Sequence, residues 1–222
     1  MMINNKGGMI LFLLILFMFS VNPIEANNDA NDLIDEFWQE LYVYSPLTKK
    51  LTFGLLFNDL YGVQAGNYDW FIEGGLKYKI NKWLTTEVLY RQEYFKTGTV
   101  WTYENRPMLR ISGSKTFGIW KVRNRQRFEM RFFKNDPFRF RYRTDVKVSP
   151  QWNFTSWNLN PYVQEELFMS EGRMSRIRSY LGIQGKEGRV EPSAYLLIQT
   201  KLNGRIARNN LIFGICFGIE LN

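Results

Sequence analysis

Residues 120–148, WKVRNRQRFEMRFFKNDPFRFRYRTDVKV, leave this chain few ways to fold. Lys121, Arg123, Arg125, Arg127, Glu129 and Arg131 occupy odd positions, while Val122, Asn124, Gln126, Phe128, Met130 and Phe132 occupy even ones. The phase resumes after Lys134-Asn135-Asp136-Pro137. Arg139, Arg141, Arg143, Asp145 and Lys147 alternate with Phe138, Phe140, Tyr142, Thr144, Val146 and Val148. A period of two is a strand, and the Asn-Asp-Pro cluster is a turn. The stretch is a hairpin with one charged and one mostly apolar, aromatic face. A soluble sheet turns such charges to water, whereas an outer-membrane barrel turns them into its lumen and its aromatics to lipid. The alternation alone does not choose.

Targeting and composition decide. Lys6 provides a positive start, Met9 to Val21 is apolar apart from Ser20, and Ile24-Glu25-Ala26 offers cleavage after Ala26. Residues 1–26 therefore read as a secretory signal; about 20 residues would be needed to span as a helix. Residues 27–222 form a single barrel domain in this reading. Removing one Lys and one Glu from 29 basic and 21 acidic residues leaves the charge at +8. A basic chain invites a nucleic-acid partner. Export, and charges strung along strands instead of clustered, argue for no nucleic acid. The single Cys216 excludes an intramolecular disulfide.

Along the chain the pattern predicts strands at 35–44, 51–57, 68–80, 84–94, 104–112, the basic hairpin, 160–168, 176–184, 193–202 and 211–221, with turns between and no helical connection. That makes eleven candidates. Bacterial outer-membrane barrels usually have an even number. We therefore expect ten strands, with 35–44 not spanning, or alternatively twelve. Seven tryptophans, Trp38, Trp70, Trp83, Trp101, Trp120, Trp152 and Trp157, fall near strand ends, as an interfacial girdle requires. Leu211, Phe213, Ile215, Phe217, Ile219 and Leu221 give the last strand an apolar face. The expected fold is an all-β, antiparallel up-and-down transmembrane barrel in the outer membrane, contacting its lipid and inserted by the barrel assembly machinery. A secreted sandwich is the alternative. Within the barrel an Arg or Lys facing mid-bilayer lipid costs ~2–4 kcal/mol, so the arginines must line the lumen.

A series of short motifs runs along the chain: Trp38-Gln39-Glu40-Leu41, Glu104-Asn105-Arg106, Asn124-Arg125-Gln126-Arg127, Phe138-Arg139-Phe140-Arg141-Tyr142-Arg143, Pro161-Tyr162 with Glu166, and Arg176-Ile177-Arg178 leading to Gly182. In these motifs and their order the chain resembles an uncharacterised family of bacterial outer-membrane barrels, domain of unknown function 2490. It implies a barrel and a location, and no activity.

The sequence holds no histidine. A Ser–His nucleophile and a His-based zinc site are thereby excluded. Paired carboxylates could still hydrolyse a glycosidic bond, and Glu87, Glu129, Asp145 and Glu166 are the candidates. All lie among arginines, which disfavours a general acid. The chain reads as a non-enzyme needing no cofactor. Its lumen is expected to be filled by an Arg/Glu/Asp network. The alternatives are a narrow pore or binding barrel for small anionic solutes, and a soluble ligand-binding barrel.

Hairpin turns set the expected register. A turn at Asn81-Lys82-Trp83 places Glu73 opposite Arg91 and Lys77 opposite Glu87. One centred on Asn135 places Glu129 opposite Arg141 and Arg125 opposite Asp145. One centred on Glu171 places Glu166 opposite Arg176. The second also sets Arg127 against Arg143, two cations that need something negative between them. One expectation puts Glu104 beside Arg127 and Arg106 beside Arg125, with Glu104 as a bridge. The other makes Arg127, Arg143 and Arg106 an anion site.

Overall fold

The computed structural model describes residues 34–221 except 135, 153–154 and 204–205. The expected signal, residues 1–26, lies outside the described residues. Eleven strands follow one another: β1 Glu36–Pro46, β2 Leu51–Gly62, β3 Gly66–Lys79, β4 Leu84–Thr97, β5 Val100–Phe117, β6 Trp120–Phe133, β7 Arg139–Pro150, β8 Asn160–Ser170, β9 Arg173–Gln184, β10 Val190–Asn203 and β11 Ile206–Glu220. Each period-two segment has become a strand. The strands run past the expected limits, because ladder pairing continues into polar flanks. Asn203 to Asn209, expected as a turn, contributes mostly to β10 and β11.

The sheet closes on itself, which removes the sandwich alternative. Closure also corrects the strand number. Neither ten nor twelve is found; the first segment is a full member of the barrel. β1 pairs antiparallel with β2 and parallel with β11, from Glu36 opposite Ile212 to Tyr44 opposite Glu220. In an up-and-down chain an odd strand count makes the last strand point the same way as the first. Closing the ring then requires one parallel seam, and this chain accepts it.

Turn chemistry sets the neighbouring registers. β8 and β9 meet across Glu171-Gly172, with φ of 53° and 75°. Two consecutive residues in the left-handed region make the tight turn whose twist suits a hairpin. An irregularity between Phe168 and Met169 then shifts the ladder.

The pleat divides each strand between lumen and exterior. Alternation therefore predicts burial, but with the polarity of a soluble protein reversed. Glu104 and Glu129 are 0% exposed, whereas Val88 is 65% and Leu181 50% exposed. Around the ring the lumen has two kinds of wall. From β3 to β8 it is mainly charged. On the other side Trp38, Leu60, Phe71, Tyr162, Tyr195, Leu197 and Ile212 form a buried apolar cluster. Tyr195 lies over Gly214, directly opposite in the ladder, where any Cβ would overlap the ring. Trp38 belongs to this cluster, not to a rim as expected, because even positions of β1 face inward. Trp83, Trp120, Trp152 and Trp157 do sit at one end of the barrel, and Trp70 and Trp101 toward the other.

Candidate functional site

The charged wall is built from strand parity: every second residue of β3 to β9 points inward. Arg91 opposes Glu73 in the ladder and donates to it through Nε and Nη2 at 3.0 and 2.6 Å. Arg110 joins from β5, reaching Glu73 at 2.8 Å and Glu87 at 2.9 Å. Glu93 accepts from Arg91 at 3.2 Å and forms an ion pair with Arg106 at 2.8 Å. Glu104 is clasped from two sides: Arg106 at 2.6 and 2.9 Å, and Arg131 at 2.8 and 2.6 Å. Glu129 accepts from Arg141 at 2.6 Å and Arg143 at 3.0 Å. Glu166 accepts from Arg143 at 2.6 Å, and Asp145 from Arg123 at 2.9 Å and from Arg125. Removing a charge from water costs several kcal/mol, offset only by well-made pairs with their other lone pairs satisfied. Multiple arginines per carboxylate meet that condition.

Most expected pairings are present. Glu73 faces Arg91 and Lys77 faces Glu87 across β3 and β4. Glu129 faces Arg141, Arg125 faces Asp145, and Arg127 faces Arg143 across β6 and β7. Lys77 makes no ion pair with Glu87, whose carboxylate turns to Arg110; the Lys77 ammonium lies over the Tyr44 ring instead.

Three expected contacts are corrected. Glu166 faces Arg178, not Arg176, because the tight Glu171-Gly172 turn and the irregularity at Phe168 shift the partner by two residues. A two-residue shift preserves the face, so Arg176 still lines the lumen. There it approaches the Phe168 ring at 5.3 Å. Glu104 is not beside Arg127, nor Arg106 beside Arg125. The two-residue connection at Gly118-Ile119 sets Glu104 opposite Phe133, Arg110 opposite Arg127 and Ser112 opposite Arg125. Arg106 is therefore engaged by Glu93 and Glu104, and Glu129 is the carboxylate nearest Arg127 in this network, at 3.7 Å.

Phe168 was not singled out from the sequence. Its ring is 1% exposed and has four guanidiniums within 5.5 Å, those of Arg141, Arg143, Arg176 and Arg178. An aromatic face attracts cations, and planar guanidiniums stack on it, so Phe168 adds to the glutamates in holding together arginines that repel one another. Arg123 and Arg131, expected on the lumen face but in no pair, and Arg178 join the network, as do Glu93 and Arg110, which were not singled out from the sequence. For Glu93 and Arg110, inward parity was the signal available in the sequence.

Among the described residues no group of three His, Cys, Asp or Glu could hold a metal ion. Glu87, Glu129, Asp145 and Glu166, the candidate acids, are all engaged by arginine. Outside the strands, Lys186 bonds Glu191 at 2.7 Å and Glu220 at 3.2 Å; these carboxylates hold its ammonium above the usual lysine pKa.

A cavity of about 1000 Å³ remains beside the network. Its lining runs from Lys82 and Trp83 at one end of the barrel to Lys96, Asp136 and Arg139 at the other. The lining carries 18 Lys and Arg against 7 Asp and Glu. The cavity lining is strongly positive, and among the described residues no side chain fills this space.

No curated protein matches the chain. Among solved structures it is similar to an anion-selective porin from Comamonas acidovorans, at 14% identity, TM-score 0.42, over 80% of this chain and 54% of that one. It is also similar to the outer-membrane expressed OmpT of Vibrio cholerae, at 12% identity, TM-score 0.38, over 72% of this chain and 61% of that one. The chain thus spans less than two thirds of either. The family model described as Protein of unknown function (DUF2490) matches residues 35–189, more than half of the sequence, and the chain belongs to that family.

Proposed function

We propose that the protein is a non-enzymatic β-barrel of the bacterial outer membrane, exported by residues 1–26 and braced internally by its arginine–carboxylate network. The inverted burial carries this reading. Leu55, Phe57, Ile72, Leu76, Val88, Phe132, Phe140, Leu181 and Phe217 point outward and are 44–65% exposed. A half-exposed side chain of this size forgoes about 1 kcal/mol of apolar burial. Over the whole outer band that approaches the ~5–15 kcal/mol stability of a domain, so the surface suits hydrocarbon and not water. Each strand has 11–18 residues, and about 9–11 tilted residues cross a bilayer. The tryptophans at the two ends suit its interfaces. Outer-membrane lipid is then the surrounding partner, and the barrel assembly machinery the partner during insertion.

Fractionation tests this. The mature protein, starting near Asn27, should sediment with outer membranes and migrate faster on gels unheated than boiled. Recovery in the soluble periplasm would overturn the reading.

The cavity favours a second reading, in which the lumen also admits small anionic solutes. Its lining reaches both ends of the barrel with a large excess of positive charge.

A further inference from the structure

We propose that the lumen contains a binding site for a small phosphate-type oxyanion, centred on Arg127. The proposal rests on the reading of the lumen as open to anionic solutes, and it names the residue and the ligand class.

The register places Arg127 between Arg110 on β5 and Arg143 on β7. Adjacent strands lie about 4.8 Å apart, so three guanidinium-bearing side chains stand in one row. The flanking two have carboxylate partners. Arg110 is held by Glu73 and Glu87, Arg143 by Glu129 and Glu166. Arg127 is not held in this way. Its nearest carboxylate contact is Glu129 Oε1 at 3.7 Å, beyond hydrogen-bond reach, and that oxygen already accepts from Arg143 at 3.0 Å. Arg127 is only 6% exposed, and its Nε has no hydrogen-bond partner. The Nε atoms of Arg110 and Arg123 are likewise buried and unpartnered. Arg110, Arg123, Arg125 and Arg127 all line the cavity.

Arginine does not release its proton, so Arg127 cannot escape this position by becoming neutral. A buried charge left without a partner is strongly destabilising. The other two arginines of the row are answered by glutamates at hydrogen-bond distance, but among the described residues Arg127 has only the Glu129 oxygen at 3.7 Å, which Arg143 already occupies. A ligand oxyanion supplies a closer partner. Phosphate matches the guanidinium fork and presents several acceptor oxygens. Its double charge suits a row of three cations better than a monovalent halide. The ligand is inorganic phosphate or a small phosphate ester in free solution; the closed wall of β5 to β7 separates the row from lipid outside the barrel.

The test uses the folded full-length mature barrel in a phosphate-free nonionic detergent. Thermal unfolding is followed while inorganic phosphate is titrated against chloride at matched ionic strength. We expect a saturable rise in the midpoint with phosphate only. Arg127→Gln should unfold at a higher midpoint than the wild type without phosphate, since it removes a buried cation that has only one long, shared carboxylate contact. Its phosphate affinity should fall about tenfold or more, the loss expected of one charge-assisted hydrogen bond. Arg127→Lys keeps the charge but not the fork and should also bind more weakly, which provides a readout if the Gln variant does not fold. Equal protection by chloride, or an unchanged phosphate response in both variants, overturns the site. Protection by short-chain phosphatidic acid but not inorganic phosphate would place the phosphate on a lipid and equally overturn the solute site. Binding in detergent is independent of cellular location, so this test and the fractionation test fail separately.

Discussion

Glu129 shows what one residue does in this lumen. It is fully buried and accepts from Arg141 and Arg143 at 2.6 and 3.0 Å. Its loss would leave two buried guanidiniums short of a counter-charge, and breaking a buried pair from one side costs ~3–5 kcal/mol. We expect Glu129→Gln, which conserves shape and removes only charge, to destabilise the barrel by about that amount in denaturant unfolding. A loss below about 1 kcal/mol would show that the pair is replaceable by solvent. Arg127→Gln should move stability the other way, although the two residues are neighbours on one strand. The difference lies in partners: Glu129 has two at hydrogen-bond distance and Arg127 none among the carboxylates.

Strands β1 and β11 make an element unlike the other ten pairings, because they run parallel. Parallel pairs are slightly less stable per residue than antiparallel ones. Here the seam also carries lumen contacts on both sides: Trp38 and Ile212 share the buried cluster, and Tyr195, seated on Gly214, donates to Glu40 at 2.7 Å. Gln39 lies opposite Ile215, both facing outward. Cysteines at Gln39 and Ile215, in a Cys216→Ser background, would have Cα atoms about 5 Å apart, within disulfide range. Mild oxidation should link them and change gel mobility. A Gln39 and Phe217 pair, two residues out of register, should not link. Equal linking of both pairs, or of neither, would refute the closing register.

At the scale of the whole molecule, an eleven-stranded ring lies between small barrels filled by side chains and the wide channels of sixteen-stranded porins. One wall packs aromatics and the other carries a positive network, leaving a cavity of about 1000 Å³ that reaches both ends. We expect planar bilayers containing purified barrel to show small, anion-selective steps. Blockade by phosphate in wild type, and its loss in Arg127→Gln, should accompany them. Cation-selective steps would contradict the charge reading of the lumen. A complete absence of steps would leave bracing and binding as the lumen's roles.

The chain itself determines which face each side chain takes. Alternation in KVRNRQRF and FRFRYRTD is local, and the pleat turns it directly into inside and outside. It also determines the ladder of β6 against β7, because a short turn transmits register with little freedom, and so Arg127 meets Arg143. Other features depend on partners distant in sequence. Whether 36–46 belongs to the ring depends on 212–220, at the far end of the chain, and no local pattern encodes that pairing. The partner of Glu166 moved by two residues because a tight turn and a ladder irregularity add their shifts. Glu104 went to Arg106 and Arg131, leaving Arg127 only a long contact with Glu129, because the Gly118-Ile119 connection sets β5 against β6. Tertiary structure decides these points for one physical reason: a carboxylate's partners are fixed by cross-strand neighbours on both sides, and closure of the ring is what supplies the second side.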